Sequence, residues 1–178
     1  KRLAVFYITN DWGKSSQELF NAHAKELGAE IVANEGYLPD EQNFRPALTR
    51  ARDGNPDGVI LFSYQADGAQ IAQQASNTGL KAALVGSASL QSPDFIKLGG
   101  SAVEGTHIFG EFLPDDPRPE VQSFVTAFRA KYNEEPDFFA AHAFDTMNIV
   151  AALIDTAGTD RTAIRDAFTK IKDVPSVI

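Results

Sequence analysis

The sequence predicts an α/β fold: a parallel sheet with helices on both faces, followed by helices belonging to another lobe. Three observations carry that expectation. Apolar β-forming runs alternate with amphipathic stretches through the first hundred residues, the pattern of strands joined by helical crossovers. Gly28 and Gly79 stop two of the helical stretches. Beyond a loop at 113–119 broken by Pro114, Pro117 and Pro119, the strand pattern ceases and only helical periodicity remains.

The elements follow in order. Arg2–Ile8 is an apolar β-forming run, and the polar residues 9–13 read as a turn. Residues 15–27 then place Leu19, Phe20, His23, Ala24 and Leu27 at helical spacing. The grammar repeats with a strand at Glu30–Tyr37, a helix at 44–52, a buried strand at Gly58–Phe62, a helix at 67–78 and a strand at 82–85. A short helix at 93–98 and a strand at 105–109 complete the first part.

Residues 120–132, 138–156 and 160–170 read as helices, the last opened by Thr159 and Asp160 as capping residues. These divisions predict an α/β lobe at 1–112, an inter-lobe crossing at 113–119 and a helical segment at 120–178 returning to the other lobe. The helix at 138–156 is apolar nearly all round, from Phe138 and Phe139 through Met147 to Leu153, so it requires cover. Asp145 inside it needs a partner or a cleft, because an unpaired carboxylate in such surroundings is costly.

Composition narrows the function. A net charge of −8 and a pI near 4.8 oppose a general phosphate-binding surface, so nucleic acid is not an expected partner. Without cysteine there is no disulfide, thiol nucleophile or Cys-ligated metal, and His23, His107 and His142 lack ligand spacing. No metal or cofactor is expected. The longest apolar stretches fall short of the ~20 residues that span a bilayer, and no secretory signal is expected ahead of the first strand.

In open parallel sheets, ligands collect beyond the carboxyl ends of the strands. The segments there supply Asn10, Asp11, Trp12, Ser63, Tyr64, Gln65, Ser87, Ala88 and Ser89 as candidate ligand-binding residues. Aromatic faces with neutral hydrogen-bonding groups suit a small-molecule pocket. Trp12 forms either a pocket wall or a plug for the core's end. Tyr64 either opens its hydroxyl to the crevice or bonds a neighbouring loop.

Catalytic readings find little support. Gly13-Lys14-Ser15 resembles the end of a phosphate-binding loop, but Ile8 stands where that motif requires glycine. A free helix start near Ser15 could meet a carboxylate, as any helix start could. No Gly-x-Ser-x-Gly pattern surrounds Ser87 or Ser89. Asp11 with Asp67, or Asp115 with Asp116, could be drawn as Mg²⁺ ligands, but helix capping and solvated loops are the commoner roles of such residues.

Four segments carry a family resemblance: VFYITNDWGKSSQELFNAHAKELGAEIVANEGYLPDEQNFRPALTRAR, NPDGVILFSYQADGAQIAQQASNTGLKAALVGS, VEGTHI and FFAAHAFDTMNIVAALIDTAGTDRTAIRDAF. Together they resemble the Leu/Ile/Val-type substrate-binding proteins of ABC transporters, with the type I periplasmic binding fold. The resemblance implies that these residues are the C-terminal part of a two-lobed chain, beginning where the second lobe begins. It implies an extracytoplasmic, non-enzymatic protein that closes on a small solute and presents it to a membrane permease. The faces left without the other lobe would also allow self-association.

The resemblance places Trp12 and Tyr64 among the ligand-contacting aromatics. At the position where amino-acid binders of the family carry a glutamate for the ligand ammonium, Ala88 stands between Ser87 and Ser89. That departure opens the ligand to carboxylates and aromatic acids as well as amino acids, unless Asp11 or Asp67 takes the glutamate's place. A sensory receptor of the same fold, or an α/β enzyme or phosphate receiver, are the alternative readings.

Overall fold

The computed structural model describes residues 1–172 and 174–178. Two compact units divide at Gly110, the first being Lys1–Gly110 and the second Glu111–Ile178.

The first unit is a five-stranded parallel sheet in the order β2-β1-β3-β4-β5, formed by β1 (Arg2–Ile8), β2 (Glu30–Tyr37), β3 (Gly58–Phe62), β4 (Ala83–Gly86) and β5 (His107–Ile108). The helices between them are α1 (Asp11–Glu26), α2 (Arg45–Asp53), α3 (Gln65–Ser76) and α4 (Pro93–Gly99), with single 3₁₀ turns at Ala88–Leu90 and Gly100–Val103. The strand order reverses direction at β1.

Side-chain alternation explains why both faces are covered. Ala4, Phe6 and Ile8 of β1, with Val59 and Leu61 of β3, join Phe44, Leu48, Ile71, Ala72 and Phe95 in one buried cluster beneath α2, α3 and α4. The other parity turns toward α1, where Phe62 meets Phe20 edge to face at 5.8 Å. Burying each large side chain of this set stabilises the fold by ~1.5–3 kcal/mol.

The first three strands have the ends that their apolar patterns predict. β4 runs one residue later than the sequence pattern, because Gly86 still pairs with Leu61 and Ile108. The strand expected at 105–109 shortens to His107–Ile108, since Gly105 adopts a φ of +76° and leaves the ladder.

The largest correction concerns α1. Residues 9–13 are not a turn before a helix at Ser15; Asn10 is the N-cap and its side chain accepts the Gly13 N–H at 2.8 Å. Asp11 and Trp12 therefore stand in the helix's first turn. A Cβ on Gly13 would collide with the Ile8 carbonyl, so glycine lets α1 begin directly against β1.

The second unit holds α5 (Pro119–Tyr132), α6 (Phe138–Ala157) and α7 (Arg161–Phe168). Its core is Phe112, Val121, Phe124, Val125, Ala141 and Val177. Asp145 is buried and paired, as its setting requires: it accepts from the Ser176 hydroxyl at 2.6 Å and from the Val177 N–H. Arg118 reaches the same chain segment through the Val177 carbonyl at 3.3 Å.

α6 ends one residue later than the helix expected at 138–156. At 20 residues it meets the length and composition of a membrane span, a test that core helices of soluble proteins also pass. Asp145, Asn148 and Asp155 interrupt its apolar character, while Phe139, Phe144 and Met147 are exposed.

Candidate functional site

The carboxyl edge of the sheet at the β1/β3 junction brings the principal candidates together. This is where the strand order reverses, the place where ligands collect in open parallel sheets. Trp12, leaving β1, stacks on Tyr64, leaving β3, with centroids 5.1 Å apart and planes inclined by 26°. Phe62 supports the Trp12 ring edge to face at 6.5 Å.

Asn10 ties the two segments. Its Nδ2 donates to the Tyr64 hydroxyl at 3.3 Å while its Oδ1 caps α1. The Tyr64 hydroxyl thus bonds the neighbouring loop, and the residue is 37% exposed.

A second cluster stands at the end of β4. Ser87 and Ser89 hydroxyls lie 2.7 Å apart, and Ser89 donates to the Ser63 carbonyl at 2.7 Å. The 3₁₀ turn that carries them is held by Leu90, whose side chain fills the space left by Gly68 and Gly86; a Cβ on either would come within 2.8 or 2.6 Å of it.

The remaining candidates are placed differently. Ser63 is fully buried, so its side chain lies beneath the rim rather than on it. Its Oγ makes no hydrogen bond of ordinary geometry. Gln65, expected in a loop, is the first residue of α3 and half-buried; Ala88 opens the 3₁₀ turn and is also half-buried. Asp11 is exposed in the first turn of α1.

Sequence reasoning did not single out Tyr37, Phe62 or Leu90. Tyr37 ends β2 and directs its hydroxyl to Asp67 at 3.4 Å. Burial pushes the Tyr37 phenol well above its usual range, Ser63 opposes that, and the nearby Asp67 adds to it. Burial likewise raises the Asp67 carboxyl, against the lowering effect of the Tyr37 hydrogen bond. Asp67 stands in the first turn of α3 without capping it. Among the described residues, no three His, Asp or Glu side chains converge as a metal site.

Residues 1–178 match the periplasmic binding protein family. The chain belongs to that family. Among its relatives, Leu/Ile/Val-binding protein homolog 7 of Brucella abortus is 26% identical over 179 residues, covering 96% of this chain and 45% of the relative. The leucine binding protein of Thermotoga maritima, 26% identical, superposes with a TM-score of 0.92 over 99% of this chain and 51% of its own. A branched-chain amino acid transporter substrate binding protein from Streptococcus pneumoniae, solved with isoleucine, is 26% identical with a TM-score of 0.86, covering 99% and 50%.

The chain spans about half the length of these periplasmic binding proteins. These relatives carry the names of amino-acid-binding or transporter substrate-binding proteins.

Proposed function

We propose that this chain forms one jaw of an extracytoplasmic solute-binding protein that delivers a small organic molecule to an ABC permease. The solute is an amino acid, another carboxylate or an aromatic acid, and it is held between the β1/β3 rim and a facing lobe. The stacked pair of Trp12 and Tyr64, joined by Asn10 at the topological switch point, is the observation that carries this reading.

Trp12 offers apolar contact, and Tyr64 and Ser87 direct hydrogen bonds. Asp11, Gln65, Ala88 and Ser89 frame the rim, and Ser63 supports it from below. Closure of the two lobes shifts the population toward the form that the permease accepts, with no bond made or broken. The same reading assigns residues 1–112 to an α/β lobe, 113–119 to the inter-lobe crossing and 120–178 to a helical segment returning to the other lobe.

The test is a thermal-shift screen of the full-length protein against amino acids and aromatic acids. A ligand present at 100 times its Kd stabilises the folded state by ~2.7 kcal/mol, which appears as a rise of several degrees in Tm. If no member of either class raises Tm, the reading fails.

A further inference from the structure

We propose that this rim has a fixed hydrogen-bond polarity: Asn10 leaves Tyr64 to donate to the solute, and the Ser63 carbonyl, through Ser89, leaves Ser87 to accept from it. The inference rests on the solute-binding reading above. It begins with a group whose role admits no choice: the Gly13 backbone N–H can only donate. The Asn10 side-chain oxygen that receives it is therefore the acceptor arm, and the other arm is the NH₂. That NH₂ donates to Tyr64. A phenol has one proton, and because Tyr64 receives a hydrogen bond from Asn10, its own proton remains available on the exposed side.

The serines are polarised the opposite way. The Ser63 carbonyl can only accept, so the single proton of Ser89 is committed to it. The 2.7 Å contact between Ser87 and Ser89 must then be donated by Ser87. The Leu61 carbonyl, 3.4 Å from Ser87, is a longer inward alternative for the same proton. Either way the proton of Ser87 points into the protein, and its lone pairs are what it offers outward.

β3 and β4 are neighbours, with Leu61 opposite Gly86, so the donor and the acceptor follow adjacent strands on the same edge. The matching solute presents an acceptor oxygen to Tyr64 and a hydrogen-bond donor to Ser87. An α-amino or α-hydroxy carboxylate has both; a carboxylate lacking a donor at the α-carbon has one. The requirement is for a donor, not for a positive charge.

Calorimetric titration of the full-length protein with L-leucine, 2-hydroxy-4-methylpentanoate and 4-methylpentanoate tests this. The first two should bind about 10-fold more tightly than the third, the worth of one satisfied hydrogen bond. Asn10→Asp retains the cap but has no NH₂, so Tyr64 turns its proton inward. That variant should keep the wild-type Tm and bind L-leucine about 10-fold more weakly, as should Tyr64→Phe. The double variant should be no weaker than either single one, whereas simple charge repulsion by the introduced carboxylate would add a further loss.

Equal binding of all three probes, or an additive double variant, overturns the polarity while solute binding stands. If none of the three binds but an aromatic acid without an α-donor raises Tm, the donor requirement falls alone. If nothing binds at all, both readings fall.

Discussion

Both carboxylate oxygens of Asp145 lie 3.1 Å from the backbone nitrogen of Val177. The side chain is 7% exposed and is met by neutral donors, the Val177 N–H and the Ser176 hydroxyl at 2.6 Å. A carboxyl group inside an apolar helix thus serves as an anchor for residues 176–178, and the buried Val177 side chain completes the second unit's core.

Asp145→Ala should therefore destabilise the second unit by ~2–3 kcal/mol, because it orphans a buried N–H and frees the segment that carries Val177. Urea unfolding read by far-ultraviolet circular dichroism would check the loss. Hydrogen exchange should show the Val177 amide losing protection ahead of those in α5.

Gly13→Ala should cost about 1–3 kcal/mol, although alanine is the better helix former. The added methyl meets the Ile8 backbone carbonyl, which has no rotamer with which to yield. The same substitution at an exposed position of α1 should be close to neutral, so paired thermal melts separate the clash from helix propensity.

How much could be read from the chain follows from the range of each interaction. The bounds of β1, β2 and β3 are local matters of apolar pattern, and they agree with the structure. The start of α1 is also local, yet Asn10 and Ser15 are both good capping residues. What decides between them is the approach of Gly13 to Ile8, which a linear pattern does not contain. Trp12 and Tyr64 were legible as residues leaving strands. Their stacking depends on the β1–β3 register, and the fit of Leu90 against Gly68 and Gly86 depends on elements far apart in sequence.

Leu90→Ala should destabilise the first unit by ~2–5 kcal/mol by opening a cavity between α3 and the end of β4. Leu90 is fully buried. Because the same turn carries Ser87 and Ser89, solute affinity should fall along with stability. Denaturant midpoints and titration of the same preparation measure the two losses.

Asp67 predicts a pH dependence with a definite sign. Its carboxyl is raised by burial, so the folded state holds that proton more tightly than the unfolded chain does. Stability from this group is fully present below the ordinary Asp range and is lost as pH rises through the raised value. Asp67→Asn should remove that slope. Urea titrations of both proteins from pH 3 to pH 7 should show wild type declining relative to the variant as pH rises, and parallel curves would refute the assignment.

Trp12 is the chain's only tryptophan. Tyr64→Ala removes the ring stacked on it and admits water, so the emission maximum should move to longer wavelength with little change in Tm.

The packing that secures the β-layer lies on its two broad surfaces, whereas Asn10, Trp12, Tyr64 and Ser87 stand at its end, where the strands are already spent. If these end residues select the solute as proposed, foldability and ligand choice depend on largely separate sets of positions. On that reading Trp12, Tyr64 and Ser87 can change one at a time with little loosening of the interior, and one scaffold can serve unlike solutes.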